Sequence, residues 1–380
     1  MKKMACLAIA LSGVTVSAYA QNSVTLYGII DEGLNYTSNA SGHDGFQMKS
    51  GDTFGSRWGL KGTEDLGGGN SAIFKLENGF NASSGALGQG GRLFGRQAWV
   101  GLQSNTLGTV TLGRQYDPTI DLWSGYTAAG NYSGDVASHP FDNDNADYDY
   151  RIDNSVKYTS PTFYGLTAEA MYGFSNDTGF ANNRVYSAAV QYRAGSLSAA
   201  VAYLKMNNAG SANGAVSTDT VFTASSQQNI EAGIAYEFAS TRFAFSYSHV
   251  DVYDPTALDY FSTAATQPPG GNWTSWKFDN FEVNGKYSFT PSLYVVGAYT
   301  FTMAHLDSTV GDFMPKWHQV SAMLGYDISK RTTVYVQGAW QHVVSANTGT
   351  DFDYAQTPAS AGISSGENQM VYRIAMIHRF

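Results

Sequence analysis

From Val24 onward the chain repeats one device: about ten residues in which apolar and polar positions alternate, then a turn. In 229–238, Ile230, Ala232, Ile234, Tyr236 and Phe238 alternate with Asn229, Glu231, Gly233 and Glu237. Phe243, Phe245 and Tyr247 alternate with Arg242, Ser246 and Ser248, and Phe281, Val283, Tyr287 and Phe289 with Glu282, Asn284 and Lys286. In 54–61, Phe54, Trp58 and Leu60 stand against Arg57 and Lys61. Successive side chains of a strand point to opposite faces, so a period of two means strands with one apolar and one polar face. The pattern predicts sixteen, over 24–36, 52–63, 71–80, 94–103, 108–115, 151–160, 165–174, 185–194, 196–205, 229–238, 241–251, 277–289, 292–303, 316–328, 333–344 and 368–380. All nine prolines fall between these spans, as expected of a residue that cannot donate to a ladder.

Such alternation fits a soluble sandwich or propeller with its apolar face inward, or a transmembrane barrel with its apolar face toward lipid. The connections decide between them. Tight turns (Asn105–Gly108, Pro161–Tyr164, Gly195, Ala239–Ser240, Thr290–Pro291, Ser329–Thr332) alternate with long loops such as 116–150, 206–228, 252–276 and 345–367. An even-stranded up-and-down barrel produces that rhythm. Aromatics near the segment ends (Tyr27, Tyr36, Phe80, Tyr158, Phe174, Tyr236, Phe289, Tyr326) are expected to form interfacial girdles. Closure also removes edge strands. The reading is therefore all-β: a 16-stranded antiparallel transmembrane barrel with short periplasmic turns and long external loops.

The first twenty residues carry Lys2 and Lys3, an apolar run from Ala5 to Val16, and Ala18-Tyr19-Ala20. That is a secretory signal pattern, with cleavage expected after Ala20 and the barrel domain over 21–380. The single cysteine, Cys6, lies inside it, which argues against a disulfide scaffold. Charged residues are 14% of the chain, against ~25% in ordinary soluble proteins. A formal net charge of −9 gives a nucleic-acid partner no electrostatic support.

Four stretches carry a family resemblance: Val24-Thr-Leu-Tyr-Gly28, Arg57-Trp-Gly-Leu-Lys-Gly-Thr-Glu-Asp-Leu-Gly67, Phe94-Gly-Arg-Gln-Ala-Trp-Val-Gly101 and Leu112-Gly-Arg-Gln-Tyr-Asp117. With the ending His378-Arg379-Phe380, they resemble the Gram-negative general diffusion porins, most closely the beta-proteobacterial branch. The resemblance implies a homotrimer of barrels in the outer membrane, among lipid and lipopolysaccharide. It implies that each barrel holds a water-filled pore for small hydrophilic solutes and ions, narrowed by an inward-folded third loop. It also makes the terminal Phe380 a signal for the outer-membrane assembly machinery.

Alternation alone assigns Asp31, Arg57, Lys61, Lys75, Glu77, Lys157, Glu169, Arg193, Glu231, Arg242, Glu282 and Lys286 to the lumen. A charge facing lipid would cost ~2–4 kcal/mol near the midplane. The resemblance singles out Arg57, Arg96 and Arg151 as a wall cluster facing the constriction loop, 116–150. The parity of Ala98, Val100 and Leu102 argues against Arg96, and Arg114 reads equally as a rim residue. Asp117, Asp121 and Asp135 are taken as the loop's acidic side, within a set that also holds Asp142, Asp144, Asp147 and Asp149. Where the enterobacterial loop has a glutamate, this one has Asn131, which favours anions; the acidic run at 142–149 pulls the other way. Ion selectivity stays open.

That acidic run lacks the glycine and distal glutamate of an EF-hand and reads as a solvated turn, so no metal or other cofactor is assigned. The seven histidines show no metal spacing, and no nucleophile elbow is present, so an enzyme is not expected. A substrate-specific outer-membrane channel is the alternative, and it would need a ladder of aromatics along the lumen. None is visible on the assigned faces.

Overall fold

The computed structural model describes residues 23–209, 214–216, 220–261 and 267–380; the signal segment expected at 1–20 lies outside them. Sixteen wall strands follow one another in antiparallel register. They are β1 (Ser23–Ala40), β2 in two segments (His43–Ser50 and Arg57–Gly67), β3 (Asn70–Gly79), β4 (Gln97–Ser104), β5 (Gly108–Gln115), β6 (Ile152–Thr159), β7 (Leu166–Gly173) and β8 (Val185–Ala194). The second half comprises β9 (Leu197–Ala209), β10 (Phe222–Phe238), β11 (Thr241–Tyr253), β12 (Trp273–Ser288), β13 (Leu293–Ser308), β14 (Lys316–Asp327), β15 (Thr332–Val344) and β16 (Asn368–Arg379).

Pairing of β1 with β16, from Ile29 opposite Arg379 to Thr37 opposite Val371, closes the sheet. At the seam the Phe380 amide donates to the Gly28 carbonyl and the Gly28 amide to the Phe380 carbonyl, both at 3.0 Å. A Cβ on Gly28 would lie 2.3 Å from the Phe380 ring, so glycine is what lets the terminal aromatic lie across the join.

Burial is inverted relative to a soluble domain. On β10 the apolar set is outside, with Ile230 47% and Tyr236 53% exposed, while Asn229 and Glu231 are buried inside. On β16, Met370, Tyr372, Ile374 and Met376 face outward, and Gln369 and Arg373 face inward. Each wall strand among the described residues is laddered to a neighbour on both sides and the β1–β16 pairing leaves no open edge, the condition a bilayer imposes. Of the twelve residues assigned to the lumen by alternation, Asp31, Glu77, Lys157, Glu169, Glu231 and Glu282 are buried inside, and Arg57, Lys75, Arg193, Arg242 and Lys286 line internal cavities.

Several boundaries and faces differ from expectation. β2 does not start at 52: residues 51–56 bend into the lumen, held by Asp31, whose Oδ2 accepts from Thr53 N (2.9 Å) and Phe54 N (3.0 Å). Phe54 therefore faces inward, with the Arg379 guanidinium 5.0 Å from its ring centroid. Tyr27 also points inward, toward Glu77, and is no girdle residue. β1 runs on to Ala40 and pairs with 43–50 in a hairpin that the alternation did not reveal. The turn after β2 shortens to Gly68-Gly69, because β2 and β3 both extend into the expected loop.

Inside the barrel, the 116–151 loop follows the wall of β8–β12 before crossing toward β2. It opens with α1 (Pro118–Leu122), capped by Asp117 through Thr119 N at 2.9 Å. The wall there is lined by Ala189, Ala200, Ala202, Ala235 and Ala244, whose small side chains leave room for Leu122, Trp123 and Tyr126. Trp123 Nε1 donates to the Ala232 carbonyl (2.9 Å). Further on, His139 is held between Asp144 (2.7 Å) and Glu282 of β12 (3.2 Å), all three buried.

Candidate functional site

On the opposite side of the lumen a cavity of about 490 Å³ opens between the loop and β1–β6. Its walls include Arg57, Lys75, Glu77, Arg96 and Arg151 on one side and Asp135, Asp147 and Asp149 on the other. The three arginines singled out in the sequence thus meet at one place. They do so by different routes. Arg57 is on the inward parity of β2 and Arg151 immediately precedes β6. Arg96 lies in a bend before β4, off the pleat, so the parity of Ala98, Val100 and Leu102 does not apply to it.

Two of the three are tied down. Arg96 Nε donates to Glu77 Oε1 (3.0 Å) and Arg96 Nη2 to Tyr116 Oη (2.8 Å). Arg151 reaches the same phenol oxygen with Nη2 (2.5 Å) and the Asp149 carbonyl with Nη1 (2.7 Å). Its guanidinium also lies 4.8 Å from the Tyr116 ring centroid. Glu77 accepts from Tyr27 (2.8 Å) and pairs with Lys75 at 3.3 Å, so one carboxylate anchors three neighbours. Arg57 has no hydrogen bond or ion pair from its side chain among the described residues. Lys61, also expected in the lumen, sits 5.5 Å from the Tyr27 ring centroid on the same wall. Tyr116, the hub of the cluster, entered the sequence reading only as the first residue of the constriction loop, because nothing in its spacing shows two guanidinium groups converging on its hydroxyl.

Of the acids expected to oppose the arginines, only Asp135 lines this cavity. Asp117 caps α1 and accepts from Ser187 (3.3 Å) on the far wall. Asp121 pairs with Lys157 and faces a separate cavity with Arg193 and Arg242. Asp147 and Asp149 take their places, because the loop folds back on itself before Arg151. The acidic run is not a solvated turn either: Asp142 and Asp144 are fully buried, with Asp142 accepting from Asp147 N (3.1 Å). Arg114 is no open rim charge; it pairs with Asp153 (2.6 Å) and bonds the Gly95 carbonyl (2.7 Å).

The electrostatics follow from these contacts. Burial opposes charge on Asp135, but the Lys49 ammonium at 2.9 Å outweighs it and holds the carboxyl below its usual range. Asp147 has no such partner; burial and then the Asp135 carboxylate push it well above that range. Burial, followed by the same neighbour, pushes Asp149 up to about 6. Buried carboxyls without cations take up protons rather than stay charged. Of the acids facing the cavity's cations, Asp135 is therefore paired, Asp147 is biased toward its neutral form, and Asp149 ionises above about pH 6.

At the external end of the other half-lumen, Phe222, Trp276, Phe278 and Trp317 point inward and pack with Phe141 of the constriction loop and Phe352 of the last loop. These inward aromatics are fully buried against one another in a single cluster. Among the described residues, one trio of metal-capable side chains converges: His305, Asp307 and Asp312, with ligand atoms within 4.8 Å of one another, on the outer rim and apart from 142–149.

Comparison with known proteins agrees with this geometry. The Gram-negative porin family model matches residues 5–345. An outer membrane porin protein of Bordetella pertussis is 33% identical, covering 90% of this chain and 94% of its own. Outer membrane porin protein 32 of Delftia acidovorans is 27% identical over the whole of both chains. Among solved structures, the anion-selective porin from Comamonas acidovorans superposes with a TM-score of 0.70 at 23% identity, over 95% of this chain and 100% of that one. OmpT of Vibrio cholerae, solved in a trimer form, gives a TM-score of 0.65 at 16% identity, over 94% and 99%. The chain belongs to the Gram-negative porin family: it is an outer-membrane β-barrel channel, not an enzyme.

Proposed function

We propose that this porin passes small hydrophilic solutes and ions by general diffusion, through a constriction between the 116–150 loop and the Arg57, Arg96 and Arg151 wall, and that it prefers anions. One observation carries the preference. Arg57 is an unpaired cation in the cavity, while of the loop acids across from it Asp135 is paired with Lys49, burial favours the neutral form of Asp147, and Asp149 keeps its proton below about pH 6. Low-dielectric walls focus the field of such a charge along the water path. Asn131, which stands where the enterobacterial loop has a glutamate, faces the cavities on the periplasmic side of the loop and adds no opposing charge. Anion selectivity in the Comamonas relative supports the same reading.

The test is the reversal potential of purified protein in planar bilayers across a salt gradient. Arg57→Ala is expected to lose much of the anion preference; an unchanged potential removes Arg57 from the site. The same traces carry a pH prediction. A carboxyl whose pKa is raised is neutral below that value and negative above it. Asp149 therefore adds negative charge as pH rises through about 6, with Asp147 following at higher pH, and the anion preference falls over that rise. A preference that grows with pH contradicts the assignment.

The chain is read as one protomer of a homotrimer, in keeping with the trimer form of the Vibrio OmpT and with the usual cyclic closure of identical chains. Phe380, 44% exposed at the barrel seam, is the terminal aromatic offered to the assembly machinery.

A further inference from the structure

The periplasmic mouth holds a second cavity, about 720 Å³, bounded by the turns after β12 and β14 and by the underside of the constriction loop. Three cations line it, Lys286, Lys330 and Arg379, against one carboxylate, Asp327. None of the three has an ion-pair partner among the described residues. Asp327 itself accepts from Thr333 Oγ1 at 2.6 Å.

Aromatic rings stand beside these cations. Lys286 Nζ is 4.1 Å from the Tyr294 ring centroid and 5.8 Å from that of Tyr132, and Arg379 lies 5.0 Å from that of Phe54. Met323 and Ile377 add aliphatic surface to the same walls. Tyr132 belongs to the constriction loop, and its hydroxyl accepts from Arg242 Nη1 at 3.3 Å.

We infer that this vestibule is a binding site for organic anions with a planar apolar body, the aromatic carboxylates, distinct from the Arg57 constriction. Unpaired ammonium and guanidinium groups supply attraction for the carboxylate. The rings and aliphatic side chains around them supply a surface for the body, where stacking and burial act together. A compact anion such as acetate meets the same charges without the apolar contact. Selectivity at the constriction sorts by sign; the vestibule sorts among anions by shape and hydrophobicity.

Current block in planar bilayers tests it. Benzoate or acetate is added on the periplasmic side of the channel in a chloride background, and single-channel current is read against concentration. In the parent, benzoate is expected to reduce the current saturably, with a half-saturating concentration about tenfold below that of acetate, equivalent to ~1.4 kcal/mol. Lys286→Gln should raise the benzoate value toward that of acetate, and Lys286→Arg should restore it. Equal block by both anions, or no change in Lys286→Gln, overturns the inference. Reversal potentials recorded on the same channels keep it separate from the selectivity reading: Lys286→Gln losing benzoate block while Arg57→Ala leaves the potential unmoved would sink the constriction assignment and sustain the vestibule.

Discussion

Gly134→Val is expected to widen the pore, raising single-channel conductance roughly twofold while the barrel stays folded. Gly134 sits at φ 55°, ψ −141°, a region essentially restricted to glycine. A Cβ there would lie 1.9 Å from the Asp52 carbonyl oxygen and 2.7 Å from Thr53 Cα. The contact cannot relax by a rotamer change, since both partners are backbone of the inward bend at 51–56. The loop must withdraw, breaking the bond from Asp135 N to the Asp52 carbonyl (2.9 Å) and the Asp135–Lys49 pair. His139 and Trp123 still hold the loop's other anchor to β10 and β12, so it swings rather than detaches. Wall ladders are untouched, and heat stability on semi-native gels should be near that of the parent. Unchanged conductance would show that this end of the loop does not set the bore.

Arg373→Met should have the largest effect on stability, about 3–5 kcal/mol, read as a lowered urea midpoint in detergent or lipid. Arg373 is fully buried in the lumen wall, paired with Asp31 (2.9 Å) and Asp52 (3.5 Å), and donates to Tyr335 Oη (2.8 Å), Asn35 Oδ1 (2.7 Å) and the Lys49 carbonyl (3.0 Å). Removing Arg373 leaves the buried Asp31 carboxylate without its counter-charge, which costs more than the pair contributes, while Asp52 keeps Lys49 at 2.7 Å. Asp31 also holds the inward bend through Thr53 and Phe54, so the loss spreads to one side of the constriction. Adding Asp31→Asn to Arg373→Met should recover part of the stability, because the amide can keep one backbone contact without the charge. Equal stability of the single variant and the parent would mean the network is solvated and does not brace the wall.

The wall was legible in the sequence because a strand in lipid has only two kinds of neighbour. The faces of β10 over 229–238 and of β16 followed the alternation, and the same parity puts Arg57, Lys75 and Glu77 on the side that lines the cavity. Failures occurred where the chain leaves the pleat or where apolar groups find partners other than lipid. Arg96 precedes its strand, so its parity carried no information. Phe54 and Tyr27 turn inward because Asp31 bends the chain and Glu77 takes the phenol. Trp276, Phe278 and Trp317 face the lumen because loop residues Phe141 and Phe352 cover them. Which acids face the arginines depends on the path of a 36-residue excursion, and spacing along the chain does not encode that path. Asp117 was spent on a helix cap and Asp121 on Lys157, two local satisfactions that need the fold to be seen.

The central claim is that polar side chains surround water while apolar ones meet lipid. The sequence holds one cysteine, Cys6, so single thiols can be placed on a Cys6→Ser background at adjacent wall positions. The pairs Leu60 and Lys61, Tyr192 and Arg193, and Lys286 and Tyr287 each straddle the wall. In reconstituted vesicles, a charged, water-soluble methanethiosulfonate should modify cysteines at 61, 193 and 286 rapidly and change the single-channel current. Cysteines at 60, 192 and 287 should react only with a membrane-permeant maleimide. The opposite pattern, with 60, 192 and 287 open to the charged reagent, would mean that the barrel's greasy face is not in the bilayer.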